Sequence, residues 1–265
     1  MSMNSDDTSP IDSPFSRREL LAGTAAVAGA GLVPKGATAA GRRTIEAIAF
    51  DAFPIFDPRP IAAAAKAHIP DKGALLAGMW SSKLFGYSWF LTAAGQYRPF
   101  SAVAESALRS TAQELGLTLS PEIALDLLDG YSRLDAWSDV KSALERLRAA
   151  GVALGFVSNL GEAALRANMR RAGIEGYFAH VLSTDRVRRF KPAPEAYAMA
   201  PEAFRLPKHN IGFASFAGWD AAGATWFGYE TAWINRAGAV AETLDPAPAY
   251  VSKGIEGVLS LAKID

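Results

Sequence analysis

Residues 45–51 have the sequence Ile-Glu-Ala-Ile-Ala-Phe-Asp, a short apolar run that ends at a carboxylate. A short apolar run bounded by turn signals is typical of a buried strand. Pro54, Pro58 and Pro60 follow this run and break regular structure. The sequence therefore predicts a first buried strand with Asp51 at its carboxyl end.

Later in the chain, predicted strands alternate with predicted helices. Apolar runs predict further strands at 152–157, 180–183, 211–215 and 231–235. Helical spacing predicts helices at 138–150, 162–172, 194–204 and 219–227. Apolar strands that alternate with helices indicate a parallel sheet covered on both faces. The predicted fold class is therefore α/β, with a Rossmann-like parallel sheet as its core.

A block of helices interrupts this alternation directly after the first strand. Helical spacing predicts helices at 62–68, 72–90, 102–115 and 121–131. Pro121 suits the first turn of the last of these helices. We therefore predict a core domain formed by residues 40–57 and 135–265, with a helical cap domain, residues 58–134, inserted into it.

Polar side chains follow the carboxyl ends of the first four predicted strands. In chain order these are Asp51, Ser158 with Asn159, Lys191, and Ser215 with Asp220. Each is weak alone, because an Asp after a strand is usually a turn or cap residue. Ligands of open parallel sheets bind outside these strand ends, so the combination predicts a functional site at one edge of the sheet.

The N-terminal segment resembles a twin-arginine signal peptide. It carries Arg17-Arg18, an apolar run over 20–33 and the small-x-small pattern Ala37-Thr38-Ala39. The apolar run is shorter than the roughly 20 residues that span a membrane. We predict that residues 1–39 are a signal peptide and that the mature chain is periplasmic, with no stable membrane anchor. The alternative is a disordered, alanine-rich tail.

The composition excludes several classes of function. Lys plus Arg and Asp plus Glu number 27 each, which gives no reason to expect a nucleic acid partner. There is no cysteine, so disulfides, thiolate catalysis and cysteine-ligated metal centres are excluded. His68, His180 and His209 lie in no recognisable nucleophile motif, which disfavours a Ser-His-Asp hydrolase.

Several motifs carry a resemblance to a known family. They are Phe50-Asp51-Ala52-Phe53, Trp80 with Lys83 to Tyr87 and Trp89, Ser158-Asn159, Leu182 to Asp185, Phe190-Lys191-Pro192 with Tyr197, and Trp219-Asp220-Ala221-Ala222-Gly223-Ala224 to Tyr229. Their order resembles that of the haloacid dehalogenase superfamily, and within it the type II 2-haloacid dehalogenases. The match spans nearly the whole chain after residue 39, and 218–228 is its most specific segment.

The resemblance implies a hydrolase that displaces halide from a short 2-halo carboxylic acid through an aspartyl ester, giving a 2-hydroxy acid. It implies that Asp51 is the nucleophile, that Lys191 keeps it ionised, and that Asp220 holds Lys191 or helps to activate water. Ser158 and Asn159 would bind the substrate carboxylate or Asp51. The other family positions near the site, or candidates for an apolar wall, are Tyr197, Ser215, Trp219, Phe56, Phe85 and Tyr87.

The acidic residues are too few for a magnesium site. Phosphatase relatives carry a second Asp two residues after the nucleophile and further acids on the fourth loop. This chain has Phe53 at that position and only Asp220 on that loop. We expect no metal, no cofactor and a small-molecule carboxylate as the partner. The oligomeric state stays open, with a homodimer as one alternative.

Three positions depart from the family pattern. The nucleophile loop normally continues with Tyr-Gly-Thr-Leu, and here Pro54 stands in place of that glycine. The cap arginine is replaced by Ser81, and an asparagine before the Trp-Asp pair is replaced by Ala217. The candidates to replace the arginine are Arg59, Lys83 and Arg98.

Two other functions stay open at this point. A catalytically impaired relative that serves as a periplasmic binding protein is supported by the three departures. The retention of Asp51, Ser158, Lys191 and Asp220 argues against it. A phosphatase is disfavoured because the metal ligands are lacking.

Overall fold

The computed structural model describes residues 44–264, which form a six-stranded sheet with its helices. The strands are β1 Ala47–Phe50, β2 Ala153–Ser158, β3 His180–Ser183, β4 Ile211–Ser215, β5 Glu230–Ile234 and β6 Tyr250–Ser252. Their order is β3-β2-β1-β4-β5-β6, and every neighbouring pair is parallel. The chain order reverses between β1 and β4, the point at which such sheets bind ligands. The predicted Rossmann-like α/β fold is confirmed.

The first eight helices of the described residues follow the predicted pattern, with ends that shift by a few residues, and the ninth was not predicted. They are α1 Arg59–His68, α2 Gly73–Ala93, α3 Phe100–Glu114, α4 Pro121–Asp129, α5 Val140–Ala149, α6 Glu162–Ala172, α7 Pro194–Phe204, α8 Gly218–Phe227 and α9 Glu256–Ala262. Short 3₁₀ turns cover Gly130–Ser132, Glu175–Tyr177, Thr184–Arg186 and Lys208–Asn210.

Both faces of the sheet are covered. Successive side chains of β1 point to opposite faces, so this strand contributes to a separate core cluster on each face. Ile48 and Phe50 belong to a core cluster that includes Val140 of α5, Leu165 of α6 and Val258 of α9. On the opposite face, Ala47 and Ala49 pack in a second cluster with side chains of α7 and α8. Burial on both faces explains why β1 is a continuous apolar run.

Helices α1 to α4 lie in the chain between β1 and α5, where the insertion was predicted. Trp80 of α2 is fully buried among them, and its Nε1 donates to the carbonyl of Ala104 at 2.8 Å. Ser120 caps α4 by accepting from the amide of Ile123 at 3.3 Å, with Pro121 in the first turn as predicted. Packing of α2 against α1 and α3 therefore fixes which side of α2 faces the strand ends.

The carboxyl-terminal part of the sheet differs from the prediction. The strand predicted at 231–235 is not the last one, because β6 pairs with β5 and α9 follows it. Strand β6 has only three residues and exposes Val251, so it lacks the alternation that marks a strand in sequence. Helix α9 nevertheless buries Val258 and Leu261, which cover the end of the sheet.

The predicted signal peptide, residues 1–39, lies outside the described residues. Between residues 44 and 264, no helix is long and apolar enough to cross a membrane.

Candidate active site

A lysine between two carboxylates forms the centre of the site. The Nζ of Lys191 lies 2.8 Å from Oδ1 of Asp51 and 2.8 Å from Oδ2 of Asp220. Asp51 directly follows β1, Asp220 lies in the first turn of α8 after β4, and Lys191 lies in the loop that leads to α7. The structure therefore brings together three of the side chains predicted from the strand ends.

The three charges are buried and perturb one another. Burial lowers the pKa of Lys191, but the carboxylates of Asp220 and Asp51 outweigh burial and raise it above its ordinary value. Burial raises the pKa of Asp220 to about 6, and the charge of Asp51 adds to this effect, while Lys191 opposes it. Two carboxylates against one ammonium leave the centre with an excess of negative charge when all three are ionised.

Tyr197 forms a hydrogen bond with the Asp220 carboxylate. Its hydroxyl donates to Oδ1 of Asp220 at 2.8 Å, and burial raises the pKa of Tyr197 well above its usual range, so it stays a phenol. Tyr229 in turn donates to the carbonyl of Tyr197 at 2.5 Å. A Cβ on Gly223 would lie 2.6 Å from the Tyr197 hydroxyl, so α8 can approach Tyr197 this closely only with a glycine there. Tyr197 is absent from the cavity wall, which corrects its assignment as a substrate contact.

Ser158 and Asn159 end β2 and face the same centre. The Oγ of Ser158 accepts from the amide of Leu160 at 3.1 Å, and Oδ1 of Asn159 accepts from the amide of Lys191 at 3.0 Å. The Nδ2 of Asn159 is buried and has no hydrogen-bond partner among the described residues. Both residues line the cavity, so this amide is a donor available to a ligand.

A cavity of about 580 Å³ opens in front of the lysine. Its wall is mostly aromatic and aliphatic, and it includes Phe53, Ile61, Trp80, Phe85, Trp89, Phe100, Tyr131, Leu160, Phe216 and Trp219. The rings of Phe85 and Trp219 lie 5.4 Å apart, and those of Trp89 and Trp219 lie 5.5 Å apart. The structure thus places the predicted residues Phe85 and Trp219 in the wall.

Besides Tyr197, three further predicted residues do not reach the cavity. Phe56 is fully buried and stacks on Phe156 at 5.7 Å, because the turn after Asp51 sends its ring into the core. Tyr87 instead bonds to Ser110 at 3.1 Å. Residues 85 and 87 are two positions apart on α2, so they point to different sides of the helix.

Ser215 is the last of these corrections. It ends β4, is fully buried and has no hydrogen-bond partner for its hydroxyl among the described residues. The neighbouring Phe216 lines the cavity instead. The prediction identified the segment that borders the cavity but chose Ser215 instead of Phe216. Successive residues at a strand end point in opposite directions, so only one of the two can face the cavity.

Other wall residues had no signal in the sequence. Phe100 begins α3 and Tyr131 lies in the 3₁₀ turn after α4, and both reach the cavity only through the packing of the inserted helices. Local spacing carries no information on such packing.

No arginine lines the cavity among the described residues. Arg59 binds Asp57 at 2.6 Å, and Lys83 binds Glu114 at 2.5 Å on another surface of α2. Arg98 is also absent from the wall. Ser81 does line it, so the position expected to hold a cation presents a hydroxyl.

The end of α2 holds the loop that carries Lys191. The Oγ1 of Thr92 accepts from the amide of Phe190 at 3.1 Å. The hydroxyl of Tyr97 donates to Asp185, and the rings of Tyr97 and Phe190 lie 5.2 Å apart. The helix that supplies much of the cavity wall is thereby connected to the residue just before Lys191.

Within residues 44–264, no three acidic or histidine side chains are placed to hold a metal ion. The expectation of metal-independent activity stays a prediction.

Comparisons with known proteins agree with this geometry. A model of the haloacid dehalogenase-like hydrolases matches residues 30–228. The chain is 34% identical over 218 residues to the (S)-2-haloacid dehalogenase of Pseudomonas sp. (strain YL), which covers 82% of this chain and 94% of that protein. The crystal structure of the L-2-haloacid dehalogenase RSc1362 is similar, with a TM-score of 0.81, 39% identity and coverage of 83% of this chain and 99% of that one. The Xanthobacter autotrophicus L-2-haloacid dehalogenase with chloropropionic acid covalently bound has a TM-score of 0.74 and 28% identity, covering 82% of this chain and 98% of that one. The chain therefore belongs to the haloacid dehalogenase-like hydrolases.

Proposed function

We propose that the protein hydrolyses the carbon–halogen bond of 2-halo carboxylic acids through an ester on Asp51. The observation that carries this proposal is the position of the Lys191 ammonium, 2.8 Å from each of two carboxylates, at the base of an apolar cavity. A buried lysine keeps a carboxylate ionised and so preserves it as a nucleophile. The similar enzyme with chloropropionic acid covalently bound supports a covalent intermediate.

The reaction has two steps. In the first, a carboxylate oxygen of Asp51 attacks C2 of the substrate, a carbon–oxygen bond forms, and halide leaves with the electron pair of the carbon–halogen bond. In the second, water attacks the carboxyl carbon of Asp51, the ester breaks, and the 2-hydroxy acid leaves with an oxygen that came from Asp51. The oxygen of the water stays on the Asp51 carboxylate, one of its protons ends on the hydroxyl of the product, and the other is released.

Each residue of the centre has a role in this scheme. Lys191 donates a hydrogen bond to the Asp51 carboxylate at 2.8 Å, and ionised Asp220 holds Lys191 and accepts a proton from the attacking water. The buried Nδ2 of Asn159, which has no partner among the described residues, and the hydroxyl of Ser158 are donors for the substrate carboxylate. Phe85 and Trp219 keep the halogen-bearing end of the substrate out of water.

A single turnover in heavy-oxygen water tests the scheme. With enzyme in excess over a 2-halo acid, the first product should contain ordinary oxygen, and the label should appear in the peptide that carries Asp51. Label found directly in the first product would mean that water attacked C2, and the ester on Asp51 would then be refuted.

A binding protein without turnover is the second candidate. Ser81 favours it because, among the described residues, the one cation that lines the cavity is Lys191, which is already paired with two carboxylates. Mature protein incubated with a 2-halo acid distinguishes the two. Stoichiometric ligand binding with no halide release in prolonged incubation would favour the binding protein.

We also propose export by the twin-arginine route, with removal of residues 1–39. The motif Arg17-Arg18 and the pattern Ala37-Thr38-Ala39 support this proposal. Replacement of both arginines with lysine should leave unprocessed protein in the cytoplasm. Processed protein that still appears in the periplasmic fraction of the variant would contradict it.

A further inference from the structure

We propose that the substrate is a 2-halo carboxylic acid with a bulky apolar substituent on C2, an alkyl chain or an aromatic ring. This inference rests on the proposed function and specifies which members of the substrate class the site selects. It is carried by the size of the cavity, the charge of its base and the composition of its wall.

The cavity is much larger than the smallest 2-halo acids. Its volume of about 580 Å³ lies within the range of roughly 300–1,000 Å³ that is usual for sites of drug-sized ligands. A haloacetate has only a handful of non-hydrogen atoms and would leave most of this volume to water. A substrate that excludes water from the reaction must therefore carry a larger apolar part.

The charges at the base cannot supply the binding energy for a small anion. Lys191 is already shared between Asp51 and Asp220, and these are the three charged side chains that line the cavity among the described residues. The carboxylate of the substrate thus approaches a centre with excess negative charge and is met by neutral donors. The burial of a remote apolar group of the substrate can compensate for this unfavourable approach. Binding energy from such a group can also help to hold the reacting carbon in position for attack.

The wall of the cavity suits such a group. Phe85, Trp89 and Trp219 form a set of contacting rings, and Trp89 is 39% exposed. An apolar substituent that extends from C2 along these rings would cover the exposed indole. Ala62 and Ser81 also line the cavity, and their small side chains fill little of its volume.

A homologous series of substrates tests this inference. Each methylene group that is buried contributes about a fourfold gain in binding, so burial of the four added methylenes should raise kcat/KM roughly 250-fold from 2-bromobutanoate to 2-bromooctanoate. The reacting carbon is the same in both acids, and halide release is the readout. If 2-bromobutanoate reacts and kcat/KM is flat or falls with chain length, this inference is overturned and the proposed function stands. If no 2-halo acid of any length releases halide, both fail.

A pair of variants tests whether the long alkyl chain of the substrate occupies this cavity. Ala62→Phe places a ring in the cavity and should reduce the ratio of kcat/KM for 2-bromooctanoate over 2-bromobutanoate by tenfold or more. Ala63→Phe is the matched control, because Ala63 is an exposed neighbour on α1 that does not line the cavity. Equal thermal unfolding temperatures would show that both variants are folded. An unchanged ratio in Ala62→Phe would mean that the long chain binds elsewhere, which overturns the assignment.

Discussion

Replacement of Tyr197 with Phe should shift the acid limb of the activity profile to higher pH. The Tyr197 hydroxyl is the hydrogen-bond donor to Oδ1 of Asp220, at 2.8 Å, and both side chains are buried. A hydrogen bond to a charged group contributes about 1.5–3 kcal/mol. Because one pKa unit corresponds to about 1.4 kcal/mol, the pKa of Asp220 should rise by about one to two units in the variant.

The direction of the pH effect follows from the raised pKa of Asp220. Burial raises this pKa to about 6 from an ordinary value of 3.8, so the folded state favours the protonated form. The stability that this group contributes is fully present below about pH 4 and is lost as the pH rises through about 6. Activity should behave in the opposite way, because in the proposed scheme it is the ionised form of Asp220 that holds Lys191 and accepts a proton from the attacking water.

The assay is kcat/KM for halide release between pH 5 and 9, with circular dichroism at each pH to show that the protein stays folded. The unmodified protein should lose activity as the pH falls through about 6, and the loss should be reversible. Tyr197→Phe should lose activity at about one to two pH units higher. Tyr87→Phe is the control, since it also removes a bonded hydroxyl but lies outside the cavity wall. Identical acid limbs in the unmodified protein and Tyr197→Phe would refute the role of Asp220.

Three further predictions follow from the same geometry. Asp51→Asn should lower kcat by several orders of magnitude with unchanged thermal unfolding, because a missing nucleophile is not compensated by binding; substantial residual turnover would exclude Asp51 as the nucleophile. Halide release should persist in excess EDTA, since Phe53 stands where a magnesium ligand would be required; a loss that magnesium restores would instead favour a phosphatase-like site. Thr92→Val removes the acceptor of the Phe190 amide and should lower kcat up to about tenfold with a smaller change in KM. The exposed Thr118→Val is the control for that change, and equal kcat in both variants would show that Thr92 does not position the lysine loop.

The grouping of polar residues at the strand ends could be predicted from the sequence because it depends on the topology of the sheet. Parallel strands end at one edge of a sheet, so residues that follow such strands must lie close together. Asp51, Ser158, Asn159 and Asp220 follow β1, β2 and β4 in this way, and Lys191 joins them from the loop after β3. Neither the order of the strands nor a helix-packing angle was needed for this prediction.

The cavity wall could not be predicted because it depends on how helices dock. Tyr87 matched a family position, yet its direction on α2 is set by packing of the inserted helices, and it faces away from the cavity. The prediction that Phe56 belongs to the wall was wrong for a related reason. Pro54 and its neighbours form a turn whose direction the sequence does not specify. Strand β6 was missed because three residues are too few to show a period.

The polar centre and the apolar wall of the site are under different physical constraints, which explains two of the three departures from the family pattern, those at Ser81 and Ala217. The buried lysine tolerates little change, because its loss would leave two buried carboxylates without a compensating cation, at a cost of about 3–5 kcal/mol. The wall must only be apolar and of suitable shape, so a hydroxyl at Ser81 or a methyl at Ala217 costs the fold almost nothing. Substitutions in the wall therefore change which substrates fit without disturbing Asp51, Lys191 and Asp220. On this reasoning Ser81→Arg should restore a cation to the wall and improve kcat/KM for 2-chloropropionate relative to longer acids. A gain that is equal for short and long substrates would show that the arginine acts on the halide alone and that chain length is sensed elsewhere in the wall.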